Sequence, residues 1–190
     1  NEIKSFPSVM AQYEYRLKTI KTILLDNRID PAEIDAFVGR GGLLKPLSGG
    51  TYLVNNKMLE DLKAARYGEH ASNLGAIIAF DFAQKHGKNA YVVNPVVVDE
   101  LMDIARITGL PEMQNISIFH ALNQKAVAKR ACNEMGIDYR SARLIVAHLG
   151  GGISVGVHEN GKVIDVNNAL EDGPFTPERA GTLPMKQVIE

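Results

Sequence analysis

Tryptophan is absent from these 190 residues, and there is one cysteine, Cys132. A lone thiol cannot close an internal disulfide, so a disulfide scaffold is excluded. Cys132 sits among helix formers and reads as a buried, inert thiol rather than a nucleophile. Charge of one sign is also missing: 21 basic residues meet 22 acidic ones, for a net charge of −1. Binding to nucleic acid needs a basic field, so no nucleic-acid partner is expected. No apolar run approaches the ~18 residues of a transmembrane helix, and the start does not read as a signal peptide. No membrane partner is expected, and the setting reads as cytoplasmic. At 45% hydrophobic and 23% charged, the composition excludes a disordered or collagen-like chain. At ~150 residues per domain, the length gives between one and two domains. The first residue is Asn1 rather than methionine, which suggests a piece of a longer protein.

Several elements are legible. Tyr13, Leu17, Ile20 and Leu24 share one helical face, and Asn27 and Arg28 end that helix. Asp30-Pro31-Ala32-Glu33 is a helix-start signal. Ala36-Phe37-Val38 reads as a buried strand. A helix is expected to start after Asn55-Asn56 and fade at Gly68, and another carries Leu74, Ile77, Ile78 and Phe82, with Gly87 just past its end. Ala90 to Val93 reads as a strand. Asp99 is placed to cap a further helix ending at Gly109-Leu110-Pro111. A long helix is expected from His120 to Met135, stopped by Gly136. The period then changes to two. Leu144 to His148, Ile153 to His158 and Val163 to Val166 read as strands, and Asn160-Gly161 is a type I′ hairpin signal. The tail from Gly173 to Arg179 reads as a polar loop. The result is an α/β chain whose two patterns suggest two lobes, 1–116 and 117–190.

Few residues invite chemistry. Arg40 ends a strand beside Gly41-Gly42, where its guanidinium fork could grip a carboxylate or phosphate. A solvated arginine in a turn fits the same pattern, and both readings stand. His148-Leu149-Gly150-Gly151-Gly152 could form a nest of backbone amides for phosphate oxygens, or a plain hairpin corner. It is neither a P-loop nor a dinucleotide fingerprint. Gly152-Ile153-Ser154-Val155-Gly156 matches the hydrolase elbow G-x-S-x-G, but the alternation after it is that of a strand, and no later acid–histidine pair follows. His70, His120 and Arg179 each fit a surface or capping role when taken singly. No spacing indicates a protein-ligated metal site.

Taken in order, these stretches resemble the acetate/butyrate kinase family. The likeness runs through Val38-Gly39-Arg40-Gly41-Gly42, Glu69 to Gly75, and Asn94 to Glu100. It continues through Ser117 to Lys125, Ala147 to Ser154, Val163 to Leu170, and Pro174 to Arg179. The resemblance implies an actin-like ATPase (ribonuclease H-like) two-lobed fold, incomplete in this chain. It implies ATP, with Mg²⁺ carried by the nucleotide, and direct in-line phosphoryl transfer to a short carboxylate, butyrate by the nearer likeness. By resemblance Arg40 holds the substrate carboxylate and the phosphoryl oxygens, His70 lines the cleft, and His120 and Arg179 stabilise the transition state. His148, Gly150, Gly151 and Gly152 match the phosphate-binding turn of the nucleotide site. Asn94 stands where the family usually has an aspartate that helps place metal or substrate, which costs a charge there. Asp99 is a possible substitute. A phosphate-binding segment that opens family members and an adenosine-binding segment that closes them are not matched here. Hence the alternative expectation of a catalytically silent fragment or interaction module. A homodimer is expected from the family alone.

Overall fold

A computed structural model describes residues 2–189, which form two compact units. The first comprises residues 2–45 and 50–95, and the second residues 46–49 and 96–189.

In the first unit, α1 (Tyr13–Asp26) buries Leu17 and stops where Arg28 takes a positive φ. Asp30 caps only a single 3-10 turn, Pro31–Glu33, accepting from the Ala32 amide. A three-stranded sheet follows, made of β1 (Ala36–Gly39), β2 (Thr51–Leu53) and β3 (Asn89–Val93) in the order β1-β3-β2. β1 runs parallel to β3 and β2 antiparallel to it. Phe37 is buried as expected, but β1 is an edge strand, and Val38 is 62% exposed. β2 was not anticipated, because three residues are too few to show an alternation. α2 (Asn56–Lys63) is capped by the Asn55 side chain on the Met58 amide, and it ends before Ala65, which takes a positive φ.

α3 (Asn73–Lys85) packs Leu74, Ile77, Ile78 and Phe82 inward. Phe82 stacks on Phe37 at 5.5 Å between ring centroids. The first turn of α3 lies directly on the end of β1. A Cβ at Gly75 would stand 2.5 Å from the Arg40 carbonyl oxygen, and one at Gly39 would collide with the Gly75 carbonyl. Only glycine permits that approach.

In the second unit, α4 (Ala121–Glu134) lies against the antiparallel sheet β4 (Arg143–Leu149), β5 (Ile153–Glu159) and β6 (Lys162–Val166). Asn160 and Gly161 both take positive φ, as a type I′ turn requires. Val98, Leu101, Phe119, Ala121, Val163 and Val166 form one core cluster, and Ala128, Cys132, Tyr139, Ala142 and Val146 another. Cys132 is fully buried, as expected. A short helix, α5 (Met185–Ile189), follows the tail loop.

The helix expected after Asp99 is not there. Residues 96–109 carry only the 3-10 turn Asp103–Arg106. The Asp99 carboxylate is gripped on both oxygens by Arg106, at 2.7 and 2.9 Å, and the Met102 amide donates to the Ile164 carbonyl. Those bonds hold the segment along β6 instead of freeing it to coil. They also account for the division of the compact units at Pro95/Val96. Val98 and Leu101 pack with Phe119 and Val163 and so go with the second unit. Residues 46–49 go the same way. Leu47 bridges to Val98, and the Gly49 amide donates to Glu100. Glu100 also pairs with Lys125 at 2.7 Å, both side chains being nearly sealed from water.

Candidate active-site residues

In the first unit, Arg40 follows the end of β1 and is exposed. It lines a cavity of about 700 Å³ whose wall also includes Arg16, Phe37, His70, Leu74 and Ile78. Its lining thus combines apolar side chains with two guanidinium groups and one imidazole. His70 is set by Ser72, whose hydroxyl lies 2.7 Å from Nδ1 and whose amide donates to Nδ1 at 3.2 Å. Buried Asn73 steadies the glycine loop after Arg40. Its Oδ1 accepts from the Leu43 amide and its Nδ2 donates to the Gly68 carbonyl. Sequence reasoning gave Asn73 no role.

Asn94 is buried at a φ of +41°, a conformation asparagine tolerates better than most residues. Its Oδ1 accepts from the Gly50 amide at 2.8 Å, and its own amide donates back to the Gly50 carbonyl at 2.9 Å. The side chain therefore clamps β2 to β3. Asp99 is held by Arg106 and is engaged in the same structural sense.

In the second unit, His120 is the N-cap residue of α4. Its Nδ1 lies 2.9 Å from the Ser154 hydroxyl. His148, on β4, stacks on it, with ring centroids 3.7 Å apart and planes within 8°. The Asn123 Oδ1 lies 2.8 Å from His148 Nδ1. The strand register explains the meeting. His148 and Ser154 are direct partners across β4 and β5, so they share one face. Ser154 is fully buried in a strand, not perched on an elbow, which removes the hydrolase reading.

The tail loop seats on the triple-glycine turn. Thr176 donates from Oγ1 to the Gly151 carbonyl at 2.6 Å and accepts from the Arg179 amide at 3.0 Å. Arg179 in turn donates from Nη1 to the Ala169 carbonyl at 2.8 Å. A Cβ on Gly151 would stand 2.6 Å from the Glu178 carboxylate carbon, and one on Gly152 would collide with the Arg179 guanidinium. The glycines are what let these side chains in. His148, Gly150, Gly151, Gly152 and Arg179 thus gather round one turn, with His120 stacked on His148, while Arg40 and His70 share one cavity in the first unit. Behind His120, sequence reasoning missed Gln124, His158 and Tyr139. Burial, and then the Lys125 charge, push the His158 imidazole down to about 4. Burial first, then the Glu100 charge, pushes the Tyr139 phenol up to about 12.

The donor set round the glycine turn, one guanidinium and two imidazoles, suits phosphate oxygens. Among the described residues no cluster of three histidine, cysteine, aspartate or glutamate side chains could hold a metal ion. No helix among them is long and apolar enough to cross a membrane.

The fold is shared with carboxylate kinases. Porphyromonas gingivalis acetate kinase superposes with a TM-score of 0.70 at 20% identity, over 92% of this chain and 48% of that one. Francisella tularensis propionate kinase gives 0.61 at 22%, over 90% and 47%. Both agree with the expected actin-like ATPase fold in incomplete form. In sequence the likeness narrows to butyrate kinases. Butyrate kinase 2 of Clostridium acetobutylicum is 57% identical over 189 residues, 99% of this chain and 53% of that protein. A probable butyrate kinase of Coprothermobacter proteolyticus is 54% identical over 99% of the chain and 53% of its own length. The chain spans about half the length of these relatives. No family model matches it.

Proposed function

We propose that the chain is the substrate- and phosphate-handling part of a butyrate kinase, which phosphorylates a short aliphatic carboxylate with ATP to give an acyl phosphate. The observation that carries this reading is the gathering of His120, His148 and Arg179 at the Gly150–Gly152 turn in a sequence 57% identical to a butyrate kinase. Arg40 would hold the carboxylate through its planar fork, with His70 beside it. The glycine turn and His148 would hold the nucleotide phosphates. His120 and Arg179 would face the equatorial oxygens of the phosphoryl group, where negative charge concentrates during transfer. Mg²⁺ carried on the ATP phosphates would supply further charge neutralisation, and the Glu178 carboxylate beside Gly151 suits its bound water better than it suits a phosphate oxygen. One carboxylate oxygen attacks the γ-phosphorus as the bond to ADP breaks, so no enzyme nucleophile is required. Asn94, clamped to Gly50, would act by shaping the sheet of the first unit rather than by binding metal.

The test is a hydroxamate assay for acyl phosphate on the full-length protein with ATP, Mg²⁺ and butyrate. Acyl phosphate above background, lost on Arg40→Lys, supports the reading. Its absence in the unsubstituted protein overturns it. The family also suggests a cytoplasmic homodimer, which light scattering on the full-length protein would check. A second reading concerns the 190 residues by themselves, which span about half of their relatives. This stretch alone would be catalytically silent. Micromolar binding of Mg·ATP by calorimetry contradicts that.

A further inference from the structure

Behind His120 lies a chain of buried polar side chains whose proton directions are forced one by one. Gln124 is fully buried on α4. It faces the Ser154 backbone carbonyl at 3.0 Å, and a carbonyl only accepts, so the amide nitrogen must be the atom there. That settles the orientation of the carboxamide. Its nitrogen also donates to Ser154 Oγ at 2.8 Å, and its oxygen is left facing His158 Nε2 at 3.0 Å. An amide oxygen only accepts, so His158 carries its proton on Nε2. His158 is fully buried and neutral, so its Nδ1 accepts from the Tyr139 hydroxyl at 2.9 Å. At the other end, Ser154 Oγ already accepts from Gln124 and, at 3.5 Å, from the His120 backbone amide. Its own proton is then directed to the acceptor left for it among the described hydrogen bonds, His120 Nδ1 at 2.9 Å.

We propose that Gln124, anchored by His158 and Tyr139, is a positioning residue that acts through the Ser154 hydroxyl to keep the proton of His120 on Nε2. The direction runs from Tyr139 O–H to His158 Nδ1, from His158 Nε2–H to Gln124 Oε1, from Gln124 Nε2–H to Ser154 Oγ, and from Ser154 O–H to His120 Nδ1. A neutral imidazole is a donor at one nitrogen only, and its partner at the other nitrogen decides which. With Nδ1 occupied as an acceptor, His120 presents an N–H from Nε2, as a group that must donate to an anionic oxygen should. The architecture makes room for this relay. A Cβ at Gly156 would stand 2.5 Å from Gln124 Oε1, so the glycine there admits the amide between α4 and β5. The stack with His148 limits rotation of the ring. The functional meaning rests on the kinase reading above, but the tautomer does not.

The decisive measurement is the long-range ¹H–¹⁵N correlation spectrum of histidine-labelled chain at pH 8. His120 should show a protonated Nε2 and an unprotonated Nδ1. Ser154→Ala should turn this into exchange between tautomers, and Ser154→Thr, which restores a hydroxyl, should recover the single form. Tyr139→Phe, which removes the far end of the relay and leaves Ser154 in place, should first loosen the tautomer of His158. A proton on His120 Nδ1 in the unsubstituted chain overturns the proposal, and so does a Ser154→Ala spectrum in which His120 is unchanged. In the full-length protein, Ser154→Ala should lower kcat by about 10²-fold with the butyrate KM nearly unmoved, the size of losing one aligned donor to a transition-state oxyanion. Thr at this position should restore most of it. An unsubstituted protein with no kinase activity sinks the functional reading alone, since the spectrum is read without turnover.

Discussion

Acidification from pH 7 to pH 5 should cost the folded chain about 2 kcal/mol through His158 alone. This imidazole is fully buried, and burial followed by the Lys125 charge lowers it from 6.5 to about 4. The unfolded chain therefore binds a proton that the folded chain refuses. Stability from this group is complete above its unfolded value of 6.5, is lost as the pH falls through the interval, and levels off near 4. Integrating over two pH units, most of them below the unfolded value, gives the ~2 kcal/mol. A comparison with a variant isolates the contribution of His158. Urea melts followed by circular dichroism at pH 7 and pH 5 should be run on the chain and on His158→Gln, which has no proton to gain. The variant will be less stable at pH 7, because it disturbs the bonds to Gln124 and Tyr139, but its pH 7-to-5 loss should be smaller by about 2 kcal/mol. Parallel pH dependences in the two proteins would refute the reasoning.

Lys125→Met should cost ~3–5 kcal/mol in the same melts, because it strands the Glu100 carboxylate in a dry site. Burial alone would raise that carboxyl, but Lys125 and the amides of Val163 and Gly49 outweigh it and hold it below the usual value. Removing Glu100 as well, as Lys125→Met with Glu100→Leu, should recover part of the loss, and no recovery contradicts this. Gly152→Ala should push the Arg179 guanidinium off the Ala169 carbonyl for ~1–3 kcal/mol of stability. In the full-length protein it should depress turnover far more than folding, and wild-type turnover would show that Arg179 needs no such seat. Cys132 is fully buried, so a thiol reagent should label it only on denaturation. Rapid labelling of the native chain would place it elsewhere.

Much of this was legible in the residues. The apolar periods of α1 and α3, the Gly136 stop after α4 and the Asn160-Gly161 turn are local signals, and local physics decides them. β2 and the segment after Asp99 were not legible, because their conformations are set at long range. β2 exists through pairing with β3 and the Asn94 clamp. Arg106 and the carbonyl of Ile164 hold the Asp99 segment open. The site shows the same split. Arg40, His70, His120, His148 and Arg179 could be singled out by type and surroundings. Ser154 also drew notice, but for the wrong chemistry. Gln124, His158 and Tyr139 carried no signal, since their meeting depends on how α4 lies across β5. The inner face of β5 is Ser154, Gly156 and His158, whereas Val155 and Val157 lie on its more exposed face. That reverses the usual code, and a polar inner face is what a buried relay needs.

The excursion of Pro46–Gly49 into the second unit has a consequence for how the molecule can be made and cut. The chain passes from one unit to the other three times, after Lys45, Gly49 and Pro95. No single scission yields two self-sufficient pieces, because a cut at Pro95 leaves Leu47 and Gly49 on the wrong half. During synthesis residues 50–95 of the first unit are all made before residue 96. The second must wait for Glu100, Lys125 and Val163 to reach a four-residue stretch made long before. Early release of a truncated product would leave that stretch, and the Gly49 amide with it, without the carboxylate it was placed to meet.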